Sequence, residues 1–186
     1  MLPEPITRIA LSLHGAAADL DARPLMAEAL IGLLQDRLSK SVNRINAQSV
    51  AKRQGIHLTE ARDDETHGYL TLVRLTAASD KEQVSLAGTL FDETHPRLVR
   101  INDYEIEAFL EGHMLFTRHA DQPGVIGALG TVLGKERVNI SRMQLGMVPG
   151  SDNAIAVYNI SQPLAKHVLD QLAAIKAVGK VGQVSL

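Results

Sequence analysis

Arg118-His-Ala-Asp-Gln-Pro-Gly-Val-Ile-Gly127, with Val138-Asn-Ile140 eleven residues beyond it, decides how the C-terminal half of this 186-residue chain folds. A short strand runs into a turn, Pro123 and Gly124 open a helix, and the next strand begins at Asn139. The first turn of a helix carries free backbone N–H groups, and its dipole favours negative charge there. His119 and Asp121 on the way in, and Asn139 on the way out, suit the amine and carboxylate of a small zwitterion held at that helix end. Each also has a plainer reading. His119 is then a partly exposed residue near a turn, Asp121 a helix cap contributing about 1 kcal/mol, and Asn139 a tie at a strand entrance.

Working outward, the segment reads strand 113–119, helix 123–136, strand 139–148, strand 153–160, helix 163–177, strand 178–186. That βαββαβ series is a ferredoxin-like order. Val125, Leu129, Val132 and Leu133 recur at helical spacing, as do Leu164, Val168, Leu172 and Ile175. On strand 113–119, Met114 and Phe116 share one face, while His113, Leu115, Thr117 and His119 share the other. If the Met114 face meets the helices, His119 sits off the core beside the helix N-terminus. On strand 139–148, Met143, Leu145 and Met147 share a face, and the two methionines read as core filler.

Upstream of Ala108–Gly112, which reads as a junction, the pattern changes. Ile9, Leu11 and Leu13 alternate with polar or small residues as in a half-buried strand. Asp21 and Pro24 mark a helix start, and Leu30, Leu33, Leu34 and Leu38 line one helical face. After Ser39-Lys-Ser41 a second helix takes Val42, Ile45 and Val50 inward and ends near Gly55. Strands follow at 56–60, 69–76, 84–91, 98–101 and 104–107, the last two joined by a tight Asn102-Asp103 turn. Asp63-Asp-Glu-Thr-His67 lies between two strands with no partner ligand at regular spacing, and reads as an exposed turn. The fold class is therefore α+β in two domains: residues 5–108, with a mostly antiparallel sheet, and the ferredoxin-like residues 112–186.

Nineteen Lys and Arg against 21 Asp and Glu leave a formal net charge of −2, which offers no electrostatic case for nucleic acid or anionic membrane. The basic stretch Arg37, Lys40, Arg44, Lys52, Arg53 reads as a solvated helical face. With three Tyr, three Phe and no Trp, little is available for base stacking. The absence of cysteine rules out disulfides and thiol chemistry. Met1–Pro5 has no basic or apolar signal-peptide pattern, and no apolar run reaches the ~20 residues that span a bilayer. The expectation is a soluble, cytoplasmic protein. G-x-G-x-x-G, P-loop, H-E-x-x-H and G-x-S-x-G patterns are all missing, and no histidine pairs with a carboxylate at relay spacing. No catalytic residues, metal ligands or cofactor are therefore expected in this chain.

Leu30-Ile-Gly-Leu-Leu34, Val42-Asn-Arg-Ile-Asn-Ala47, Ala87-Gly-Thr-Leu-Phe91, Pro96-Arg-Leu-Val-Arg-Ile-Asn102 and Asp121-Gln-Pro-Gly-Val-Ile-Gly127 together resemble the C-terminal part of long-form D-3-phosphoglycerate dehydrogenases. Residues 5–108 look like their intervening domain. Residues 112–186 look like their ACT domain, an amino-acid-sensing module. The resemblance implies a regulatory half without catalytic residues, whose parent is an NAD-dependent oxidoreductase of serine biosynthesis with its catalytic domains as partners. It implies a homo-oligomer joined through ACT domains, with L-serine or another small amino acid bound at their contact. His119 and Asp121 would come from one subunit, Asn139 from its partner, and the backbone at Gly124 and Val125 would receive the carboxylate.

The resemblance also implies a second, anion-binding site in some members. Arg97 matches one of its basic positions, but Glu105 and Phe109 stand where a histidine and an arginine are expected, so that site is altered or absent. Arg137 stands where related sequences put Gly, which implies a helix end of different geometry. Two other readings stay open. The β subunit of an iron–sulfur L-serine dehydratase also carries an ACT domain, but its Ser/His-rich stretch is missing here. The other is a free-standing amino-acid-sensing oligomerisation module.

Overall fold

Alternation over the first strand holds: β1 (Arg8–Gly15) sends Ile9, Leu11 and Leu13 into an apolar core. The computed structural model describes residues 5–34, 42–92 and 94–186. It divides into two units, Met1–His95 and Pro96–Leu186. In the first, β1 lies between β2 (His57–Asp63), its parallel neighbour, and β3 (Thr71–Ala78), which runs antiparallel; β4 (Gln83–Phe91) pairs with β3. Helices α1 (Ala22–Leu34) and α2 (Ala47–Arg53) pack their buried residues, among them Met26, Leu30, Leu34 and Val50, with the β1 side chains.

Helix α1 begins where Asp21 and Pro24 predict. The Asp21 carboxylate accepts the Arg23 amide at 3.0 Å and pairs with the Arg23 guanidinium at 2.7 Å. These bonds hold its carboxyl at about 2, below the usual carboxylate range. The expected helix after Ser41 starts late. Asn43 Oδ1 accepts the amides of Ile45 and Asn46 at 3.0 and 3.1 Å, a local turn that competes with helix. Ile45, expected inward, is 95% exposed. Arg37, Leu38, Lys40 and the Ser39–Ser41 stretch lie outside the described residues.

In the second unit β5 (His95–Ile101) and β6 (Tyr104–Phe109) form an antiparallel hairpin, with Asn102 at φ 51° in its turn. There follow β7 (His113–Ala120), α3 (Val125–Lys135), β8 (Ile140–Met147), β9 (Asn153–Ile160), α4 (Lys166–Ala173) and β10 (Val178–Ser185). Their sheet order is β10-β7-β9-β8, all antiparallel, the expected βαββαβ arrangement. Val125, Leu129 and Leu133 of α3 and Val168 and Leu172 of α4 are buried with Leu115, Ala156, Tyr158 and Ile160 on one face of this sheet. The β5–β6 hairpin covers the other face, packing Leu98, Tyr104 and Ile106 with Met114, Ile155 and Val157. A Cβ on Gly146 would lie 2.5 Å from the Glu105 carbonyl oxygen, so β8 passes the hairpin only because that residue is glycine. Among the described residues no helix is long and apolar enough to cross a membrane.

Two facing expectations are corrected. Leu115, not Met114, meets the helices, so Thr117 and His119 lie on the helix side, and His119 is only 2% exposed. Both faces of β7 are covered, so alternation alone does not tell them apart. The methionines of β8 are not core filler. Met143, Leu145 and Met147 are 37, 41 and 46% exposed on the edge strand.

The end of α3 also differs from expectation. Arg137 adopts φ 57°, its amide bonds Gly134 O at 3.0 Å, and the Val138 amide bonds Leu133 O at 2.9 Å. This is the left-handed Schellman closure that glycine usually supplies, here forced on an arginine. A left-handed L-residue costs roughly 1–2 kcal/mol. Arg137→Gly should therefore raise stability by about 1 kcal/mol, read in urea as a higher midpoint at unchanged slope; a lower midpoint would contradict the strain.

Tyr158 is fully buried in the core of the second unit, and among the described residues its hydroxyl has no hydrogen bond of normal geometry. Burial raises its pKa above the ordinary 10.0, with the nearby Thr117 hydroxyl countering in part. A phenol that ionises later in the fold than in the open chain makes stability fall as pH rises from 10.0 through the folded value. Tyr158→Phe should lessen this alkaline loss, and near neutral pH should not show the ~1 kcal/mol penalty of a broken hydrogen bond. Thermal melts of both proteins from pH 7 to 11 check it, and an unchanged alkaline limb would contradict it.

Candidate functional site

β7 ends at Ala120, and three exposed residues carry the chain to Gly124, whose φ of 91° turns it into α3. Gly124 is the residue that permits this entry, since side chains rarely adopt that conformation. The turn is tied by the Asp121 amide to Asp152 O at 2.8 Å and the Gln122 amide to Ala120 O at 3.0 Å. No side chain caps α3. The plainer reading of Asp121 as a capping residue therefore does not hold, and its carboxylate stands exposed in front of the helix. Among the described residues the amides of Gly124, Ile126 and Gly127 have no acceptor, and that of Val125 has only a long one, Gln122 O at 3.4 Å. A carboxylate there would meet several donors and the positive end of the α3 dipole.

His119 lies beneath this turn on the helix side of the sheet. Its Nδ1 donates to Ala120 O at 3.0 Å, which fixes the carbonyl just before Asp121. Among the described residues its Nε2 is buried without a partner, as are Thr117 Oγ1 and Tyr158 Oη. Three unmatched polar atoms on the helix-covered face are unusual, because buried polar groups normally find partners. The sequence reading passed over Thr117 and Tyr158. The signal for Tyr158 was a hydroxyl in the middle of the strand Ala154-Ile-Ala-Val-Tyr-Asn-Ile160.

His119, Asp121, Gly124 and Val125 thus gather at one end of the sheet, and Asn139 does not join them. The ladders put His119 opposite Ala154 and Ala154 opposite Met147, while Ile140 lies opposite Ile160 and Ile160 opposite His113. Asn139 therefore stands at the far end, about 25 Å along β8 from Met147 at ~3.3 Å per residue. Its amide donates to Ser161 Oγ at 3.1 Å and its carbonyl accepts the Ser161 amide at 3.0 Å. Its exposed side chain is left outside the ladder.

Arg97 is placed elsewhere. Its guanidinium lies 3.6 Å from the Phe109 ring centroid, and Arg142 covers the same ring at 4.1 Å. Glu105 is held by Arg100 at 2.7 Å, and Arg142 pairs with Glu111. The phenylalanine stacks two cations that a basic anion site would otherwise direct outward.

Residues 1–102 match the family model of the D-3-phosphoglycerate dehydrogenase intervening domain. The whole chain is 28% identical to a D-3-phosphoglycerate dehydrogenase of Bacillus subtilis, over 35% of that protein. A D-3-phosphoglycerate dehydrogenase of Synechocystis is 31% identical over 93% of the chain and 31% of its own length. That of Methanocaldococcus jannaschii is 26% identical over the whole chain and 35% of its own. The chain spans about a third of the length of these relatives. With the matched model covering more than half of its residues, the chain belongs to the D-3-phosphoglycerate dehydrogenase intervening-domain family.

Proposed function

We propose that this chain is a regulatory part of a D-3-phosphoglycerate dehydrogenase, with residues 112–186 acting as an ACT domain that binds L-serine between two copies. The observation that carries the reading is the separation of the candidate residues: Asp121 and the free α3 amides at one end of β8, Asn139 at the other. β8 is an edge strand whose outer side has no ladder partner among the described residues. Such an edge is a template for another strand, and Met143, Leu145 and Met147 give it an apolar stripe. Antiparallel pairing of two β8 strands about a two-fold axis brings each Asn139 beside the Met147 end of the other copy. Two equivalent sites result, each with Asp121 and the α3 amides from one copy and Asn139 from its partner.

In each site the serine carboxylate faces the amides at Gly124 and Val125, and the ammonium faces Asp121. The Asn139 amide group of the partner subunit supplies a donor and an acceptor for the hydroxyl. His119 positions the turn through Ala120 O and contributes less to affinity than either anchor. NAD-dependent catalysis belongs to other domains of the parent enzyme, and serine bound here would act on them as a feedback effector.

Losing one charge-assisted contact costs about 1.5–3 kcal/mol, a weakening of roughly 10- to 150-fold. Asp121→Ala and Asn139→Ala should each weaken L-serine by that amount in titration calorimetry, with unchanged circular dichroism. Light scattering should show at least a dimer at micromolar concentration. A monomer with and without serine, or two variants that bind serine like the parent, would contradict the proposal.

A further inference from the structure

The first unit brings together three side chains that the sequence keeps far apart. Parallel pairing of β1 with β2 sets His14 directly opposite Asp63, and the β2–β3 connection returns His67 to the same place. His14 Nδ1 and Asp63 Oδ2 are 2.7 Å apart, and His67 Nε2 is 3.6 Å from Asp63 Oδ1. The two imidazole rings meet edge to face at 4.7 Å. One ligand atom from each residue can be chosen so that all three lie within 4.8 Å of one another. Glu65 Oε2 is a further 3.9 Å from His67 Nε2.

His14 is the unusual member. It is 8% exposed, and among the described residues its buried Nε2 has no hydrogen-bond partner. Placing an imidazole in the interior with one nitrogen on a carboxylate and the other unused is poor economy for a residue that only packs. Its Nδ1, already aimed at Asp63 on a ring that burial holds in place, suits a nitrogen ligand. Asp63 and His67 are the solvent side of the cluster, which leaves a path for an ion to enter.

We propose that His14, Asp63 and His67 form a binding site for a first-row divalent metal ion of the Zn2+ class. Two imidazoles and one carboxylate are a borderline donor set that suits Zn2+, Co2+ or Ni2+, whereas Mg2+ and Ca2+ take oxygen shells. Tetrahedral binding at about 2.0–2.1 Å puts ligand atoms about 3.3 Å apart, so the cluster closes on the ion with small side-chain movements. The ion replaces the proton shared by His14 and Asp63, as metal binding to protonated ligands requires. Glu65 or a water fills the fourth position. The bound ion ties the ends of β1 and β2 to the connection that leads into β3, and so stabilises the first unit without involving the amino-acid site.

The test uses the untagged full chain, stripped of metal by chelator and titrated with ZnCl2 by calorimetry. Co2+ serves as a visible-absorption probe. One Zn2+ per chain, a higher melting temperature with Zn2+ and tetrahedral Co2+ bands are expected. His67→Ala and Asp63→Asn alter exposed positions, so their circular dichroism should match the parent. Each should weaken Zn2+ by roughly 100-fold, the upper range for loss of even a supporting group. No saturable Zn2+ binding by the parent at micromolar metal would overturn the proposal. So would Zn2+ binding that both variants retain, since the ion would then sit on other histidines.

Discussion

An edge strand with an uncovered apolar stripe is the constraint on which the C-terminal unit turns. β8 satisfies its inner backbone groups on β9, while its outer edge has no ladder partner among the described residues and Met143, Leu145 and Met147 are exposed. Proteins usually blunt such edges with charge, proline or a covering element. Here the hairpin β5–β6 covers only the face opposite the helices, and Gly146 lets it approach without shielding the strand's outer side. A second β8 would satisfy both the backbone and the stripe. In the proposed dimer the same operation would bring a polar side chain, Asn139 of the second copy, to the entrance of α3 opposite Asp121.

The position of Gly124 explains why the proposed site rests on backbone groups. A left-handed entry exposes the first amides of α3 and leaves them uncapped, which keeps donors available at some cost to the helix. The buried polar atoms of Thr117, His119 and Tyr158 lie on the helix-covered side of the same sheet. They place polar groups within the helix-covered face that is otherwise packed with Leu129, Leu133 and Leu172. Strain at Arg137 is a separate local cost at the other end of α3, where the closure geometry persists although its usual residue is gone.

Much of this was legible in the residues. The βαββαβ order, strand 153–160 to the residue, the Asp21 helix start and the Asn102 hairpin turn all follow from periodicity and turn chemistry. Periodicity could not say which face of β7 meets the helices, because a covering hairpin made both faces apolar. Met143 and Met147 read as core because an exposed apolar stripe and a core stripe have the same composition. Ile45 read as inward because a helical pattern hides the Asn43 turn that interrupts it. His119, Asp121 and Asn139 were legible only as types of residue suited to a small zwitterion. Their separation along β8 depends on sheet register, which no local pattern encodes. His14 and Asp63 are 49 positions apart and meet only through a parallel pairing.

The central claim is that each amino-acid site is completed by a second copy, and mixing two defective chains tests it most directly. Asp121→Ala and Asn139→Ala chains, unfolded and refolded together in equal amounts, should form mixed dimers. In each of these one site carries both changes and the other carries neither. L-serine titration of the mixture should then recover tight binding at about a quarter of the parent's sites, the fraction expected for random pairing. Recovery of no tight sites, with mixed dimers shown to be present, would mean that the pocket lies within one chain and that the edge pairing does not build it.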